Sequence, residues 1–266
     1  MYKGYGLKLS DWFVQSRVLA AYGKSVDQMY SFGQSEYKQV VEAAKAGIAG
    51  FSPYDSKDNI DGNQIETSWF PKRRCHVFLS HSHKDEALAV SIAGALKYLM
   101  GLDVFVDSLV WRFRDDLINQ LLNRLHIPYE EKDYRYRQVI AHVDCMLNKS
   151  LIEMEDGCEC LLFLNTPNSV STYGIVQRTN SPWIYSELET SRFLRVHMDD
   201  RRTKIKLANE AMDSAVTNSR FGAISYAVPN HLLDLSGEAF ALWCVSCCRE
   251  GRKSFDALDK LYSISR

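Results

Sequence analysis

No apolar run in this 266-residue chain is long enough to cross a bilayer. The longest, such as Cys160-Leu161-Leu162-Phe163-Leu164, are strand-sized against the roughly 18 residues a span requires. An excess of charge is also missing. Lys and Arg total 32 against 33 Asp and Glu, a net charge of -1, so no global field draws the chain to nucleic acid or an anionic membrane. Binding to either would need a local patch, and neither is an expected partner. The first ten residues have no apolar signal core and no small-residue cleavage site, so secretion is not expected. Seven cysteines lack the regular spacing of a disulfide framework, which suits reduced thiols and a cytoplasmic location. Internal repeats and low-complexity tracts are absent as well. What is present is ample core material, 46% apolar and 12% aromatic, which excludes disorder and small stapled scaffolds.

The length falls between one and two domains of about 150 residues. Residues 1–70 read as a helical N-terminal extension and linker. Ser10 caps a predicted helix whose apolar positions are Phe13, Val14, Val18 and Leu19, with Gly23 as its stop. A second predicted helix runs from Ser35 to Ile48 on the stripe Tyr37, Val40, Val41, Ala44 and Ile48, ended by Gly50. Phe51 to Thr67 has the Ser, Pro, Asp, Asn and Gly of a loop, and a boundary is placed near Trp69 to Arg74.

From Cys75 onward short apolar strands alternate with helices, the pattern of a parallel sheet flanked by helices. Strands are predicted at Cys75–Ser80, Leu102–Asp107 and Cys158–Leu164, the last being the most apolar and therefore central. Between the first two, Asp85 is read as the cap of a helix that Gly101 ends. Helical spacing returns in Leu117 to Leu125, in Val139 to Leu147 and around Pro182 to Val196. Beyond this, Lys204 to Ser219 fits strand or helix, Ala223 to Val228 reads as a strand, and Glu238 to Cys248 as a terminal helix.

In open parallel sheets the loops at the carboxyl ends of the strands build the ligand site. Here those loops carry Ser80-His81-Ser82-His83-Lys84-Asp85, Asp107-Ser108-Leu109-Val110-Trp111 and Asn165-Thr166-Pro167-Asn168-Ser169. The last leads to Ser181-Pro182-Trp183-Ile184-Tyr185-Ser186-Glu187-Leu188. Together with Val77-Phe78-Leu79 and Gly101-Leu102-Asp103-Val104-Phe105-Val106, these segments resemble a TIR (Toll/interleukin-1 receptor) domain. The resemblance covers Cys75 to Val196 and reaches toward Leu235, but not the first seventy residues. It implies an α/β, flavodoxin-like three-layer fold for residues 71–266 around a central parallel sheet. Two stretches depart from the family pattern: Trp111 to Asp156 is longer than the usual connection between second and third strands, and Ser171 to Asn180 is lengthened.

TIR domains are either adaptors that only assemble or enzymes that cleave the nicotinamide-ribose bond of NAD. The resemblance implies that Glu187 is the catalytic carboxylate and that NAD is the substrate, with no cofactor. The chemistry needs little else. Nicotinamide leaves as a neutral base, and a carboxylate beside the ribosyl ring stabilises its developing positive charge. Glu189, two positions along the helix, points about 200° away and reads as solvated. Ser80, His81, Ser82 and His83 stand where the family's first loop meets the nucleotide. Trp183 has two readings, stacking on a nucleotide or packing one turn before Glu187. Trp111 either faces nicotinamide or a neighbouring subunit, or packs its own loop. Asp107 either orients its loop or takes part in the chemistry.

A metal reading of His81, His83 and Asp85 finds no further ligand placed by the sequence, and Cys244, Cys247 and Cys248 lack a fourth ligand for zinc, so no metal is expected. Cys158 and Cys160 face one side of a strand as small buried residues do. The basic run Arg201 to Lys206 has no interleaved aromatics and reads as a solvated face. The expectation is an NAD nucleosidase or cyclase of bacterial antiviral-defence type, similar to Thoeris-like systems. It would self-associate through its TIR domains and work with a separately encoded activator or effector. The alternatives are a non-catalytic TIR scaffold and a nucleotide-binding sensor of flavodoxin-like shape.

Overall fold

The computed structural model describes residues 3–9, 19–20, 23–49, 61–70, 72–110, 114–124, 132–173, 176–194 and 225–264. Along the chain come β1 (Lys3–Lys8), α1 (Val26–Ala49), α2 (Gly62–Trp69), β2 (Val77–Ser80), a 3-10 turn at His83–Asp85 and α3 (Glu86–Met100). Next are β3 (Val104–Phe105), α4 (Asp107–Val110), α5 (Arg114–Arg124), α6 (Lys132–Gly157) and β4 (Cys160–Leu164). The chain continues with β5 (Ser171–Tyr173), β6 (Val176–Thr179), α7 (Pro182–Phe193), β7 (Tyr226–Ala227), β8 (Leu233–Ser236), α8 (Gly237–Glu250) and α9 (Ser254–Ile264).

Among the described residues the main sheet has five parallel strands in the order β3-β2-β4-β1-β8. All five residues of β4 are buried, as the continuous apolar run requires of a strand covered on both faces. On one side Val77 of β2 lies opposite Cys160, and on the other Lys3 to Leu7 of β1 lie opposite Cys160 to Leu164. The helices form two packed groups, α1 with α3, α8 and α9, and α5 with α6 and α7. The architecture is thus α/β around a central parallel sheet and is compatible with a flavodoxin-like fold. A second, antiparallel sheet, β5-β6-β7, occupies the lengthened stretch before α7.

The division at residue 70 is corrected by β1. The segment predicted to lie outside the sheet domain supplies a strand between β4 and β8, with Tyr5 and Leu7 fully buried and the Tyr5 ring stacked on Tyr262. Lys-Gly-Tyr-Gly-Leu-Lys carries only two large apolar residues, too few to signal a strand without the neighbours that bury them. The helix predicted from Ser35 begins instead at Val26. Ser25 Oγ accepts from the Gln28 amide while Gln28 Oε1 accepts from the Ser25 amide, a reciprocal capping box. Its core stripe is formed by Met29, Gly33 and Tyr37, and the Tyr37 hydroxyl donates to the Val104 carbonyl. Glu238 to Cys248 lies within α8 but does not end the fold, because α9 packs back on it through Trp243 Nε1 donating to the Ala257 carbonyl at 2.7 Å. The predicted helix after Ser10, apart from Leu19 and Ala20, and the stretches Lys204 to Ser219 and Arg201 to Lys206 lie outside the described residues.

Candidate functional site

The site gathers where β2, β3 and β4 end. Ser80 closes β2 and is fully buried. Opposite it stands α7, started by Ser181, whose Oγ accepts from the Ile184 amide, and by Pro182 in the first turn. The buried face of α7 is Ile184, Glu187, Leu188 and Ser191, an i, i+3, i+4, i+7 stripe with a carboxylate set into it. Glu187 is 3% exposed, and Ser80 Oγ donates to its Oε2 at 2.6 Å. Burial pushes the Glu187 carboxyl well above the ordinary range, and the negative charge of Asp107 adds to this, while the Ser80 hydrogen bond opposes it.

Asp107 opens α4 directly after β3. Its side chain keeps 21% exposure, yet its Oδ1 is buried with no hydrogen bond among the described residues and lies 3.4 Å from His81 Nδ1. His81 is itself buried, with Nε2 2.9 Å from Ser108 Oγ and Nδ1 3.3 Å from the Leu79 carbonyl. It therefore braces the start of α4 from beneath.

A cleft of about 680 Å³ opens beside these groups, within the range of small-molecule sites. Its walls include His83, Glu86, Asp107, Ser108, Arg114, Asp144, Pro182 and Trp183. Of the residues singled out from the sequence, His83, Asp107 and Trp183 reach this cleft. Ser80, His81 and Glu187 form the buried layer behind it, and Ser82 is half-buried at the start of the 3-10 turn with no side-chain cap bond. Trp183 packs partly against the core as well, so both of its readings keep a physical basis. Trp111 lies outside the described residues.

The capping reading of Asp85 is corrected. Its carboxylate caps no amide of α3 but accepts from Thr166 Oγ1 and, at 2.7 Å, from Asn168 Nδ2, tying the first loop to the loop after β4. Glu189 pairs with Arg192 at 2.9 Å on the other side of α7. Among the described residues no group of three or more His, Cys, Asp or Glu is arranged to hold a metal. Cys244 and Cys247 are buried on α8, and burial raises both thiols, Cys247 to about 11. Cys158 and Cys160 are buried too, Cys158 just ahead of β4.

Sequence reasoning missed the outer wall. Arg114 Nε donates to Asp144 at 2.5 Å, which joins α5 to α6 across the cleft rim, and its Nη1 donates to the adjacent Asp115 at 2.7 Å. Asp144, Leu147 and Leu151 recur at helical spacing, a signal that one face of α6 lines something. Their partner on α5 becomes visible only in three dimensions. A smaller apolar cavity of about 30 Å³ between Leu19, Ile92 and Phe240 lies away from these loops.

Compared with family models, curated proteins and solved structures, the chain shows no match.

Proposed function

We propose that the chain is an NAD-cleaving enzyme of TIR type, with a flavodoxin-like sheet whose fourth position is filled by the N-terminal strand. The observation that carries the reading is the Ser80–Glu187 pair at the carboxyl end of the sheet, beside a cleft that Asp107 and Trp183 line. NAD enters the cleft with its ribosyl carbon toward this pair. The ribose hydroxyls take over the donor role of Ser80, and the Glu187 carboxylate faces the ring. As the bond to nicotinamide breaks, its electron pair neutralises the pyridinium, and Glu187 stabilises the charge left on the ribosyl ring in a water-poor setting. Burial raises the Glu187 carboxyl, so nicotinamide release increases with pH as it ionises. The enzyme works in the cytoplasm, self-associates and responds to a separately encoded partner.

A second reading, a non-catalytic scaffold, is favoured by one fact: Glu187 is nearly inaccessible and already satisfied by Ser80. The two are separated by incubating the purified chain with NAD, alone and with lysate of infected cells, while nicotinamide release and product mass are followed. We expect release that grows steeply with protein concentration and falls at least about 100-fold in Glu187→Gln. An unchanged rate in that variant overturns the site assignment, and no release under any of these conditions favours the scaffold.

A further inference from the structure

The site holds two carboxyls in different settings. Glu187 is dry, bonded to Ser80 and behind the cleft wall, whereas Asp107 is in the wall itself and partly wetted. Both stand at the carboxyl end of the sheet, Glu187 bonded to Ser80 at the end of β2 and Asp107 directly after β3. A pair of acids whose surroundings differ this way can divide its work, one held in the dry layer and the other facing the cleft. The orientation of Asp107 is fixed from behind. Oδ1 is shut from solvent 3.4 Å from His81 Nδ1, and His81 is anchored on Ser108 and the Leu79 carbonyl, so the exposure belongs to the rest of the side chain on the cleft side.

We infer that Asp107 is a second catalytic carboxylate, the base that takes the proton of the water attacking the ribosyl carbon. The inference rests on the NAD-cleaving reading above. The water oxygen forms the new bond to the ribosyl carbon, and the carbon–nitrogen bond breaks with its electron pair passing to nicotinamide. One water proton passes to Asp107, which releases it to solvent. Glu187 stabilises the charged ring and moves no proton. Nucleophiles that carry no proton to lose therefore have no need of Asp107.

The test compares wild type, Asp107→Asn and Glu187→Gln in three reactions of NAD: hydrolysis, exchange of nicotinamide for 3-acetylpyridine, and capture by azide. Asp107→Asn should lose hydrolysis by about 100-fold or more and still form at least one exchange product at a rate within about threefold of wild type. That retained reaction is its own proof of folding. Glu187→Gln should lose all three. Normal hydrolysis by Asp107→Asn, or failure of that variant to form either exchange product, overturns the inference while leaving NAD cleavage by the wild type standing. A wild type that releases no nicotinamide under any condition overturns both.

Discussion

Glu155, near the end of α6, is 1% exposed, and its Oε1 has no hydrogen-bond partner among the described residues. Burial raises its carboxyl to about 9 from an ordinary 4.5. A carboxyl raised in the folded state binds its proton more tightly there than in the unfolded chain. Its contribution to stability is full below the unfolded value and is lost as pH rises through the folded one. Between about pH 4.5 and pH 9 the protein should lose stability on this account, by an amount on the order of a few kcal/mol. Glu155→Gln removes the dependence, so the fall in melting temperature over that window should shrink by about 5 °C or more, read by thermal unfolding at several pH values. An identical pH dependence in variant and wild type would show that Glu155 is not held dry. Residues at this scale divide by what they need to be recognised. Ser80 and Glu187, 107 positions apart, stood out because Ser80 ends a strand and Glu187 falls in the segment that resembles a TIR domain, four residues after Trp183, and the fold bonds them directly. The links from His81 to Ser108 and from Asp85 to Asn168 had no such signal, because side-chain partners across loops leave no periodicity behind.

Among the elements, the closest packing is between α1 and α3. A Cβ at Gly33 would meet the Val90 carbonyl oxygen at 2.5 Å, and one at Gly94 would meet the Met29 carbonyl oxygen at 2.2 Å. Both are contacts with backbone, which cannot swing aside, so the helices approach as near as they do only because neither position has a side chain. Gly94→Ala should therefore destabilise the chain by about 2–3 kcal/mol, despite alanine's better helix propensity, measured by denaturant unfolding. Neutral or stabilising behaviour would mean that the helices separate at no cost. Helix existence was legible from apolar stripes in α3, α6 and α7. The true start of α1 was legible only as a capping box, and α9 was missed because its burial depends on α8, on Tyr5 of β1 and on the residue before β4. Its partners lie outside it: Tyr262 Oη donates to Glu159 Oε1 at 3.3 Å, and the Ala257 carbonyl accepts from Trp243 Nε1 of α8.

For the whole molecule the decisive feature is β1. It fills the gap between β4 and β8, and without it those strands have no shared partner and each exposes an unpaired edge. A chain beginning at residue 71, where the composition changes, should fail to fold cooperatively, whereas residues 1–266 should give one steep unfolding transition in denaturant with loss of far-UV signal. A cooperative transition in the shorter chain would make β1 an accessory strand. By itself the sequence determined the elements whose signals are local: the apolar run of β4, the caps and stripes of the helices, the alternation that makes a parallel sheet, the strand-end positions of Ser80 and Asp107, and the place of Glu187 on the helix that Pro182 opens. The tertiary structure alone decided that six residues at the start of the chain complete the sheet. It also decided that α5 and α6 close one wall of the cleft, and that Glu187 lies behind that wall while Asp107 lies in it. Local signals come from a segment's own propensity and periodicity, whereas a strand of two glycines and two lysines, or the depth of a carboxylate, is fixed only by the neighbours that surround it.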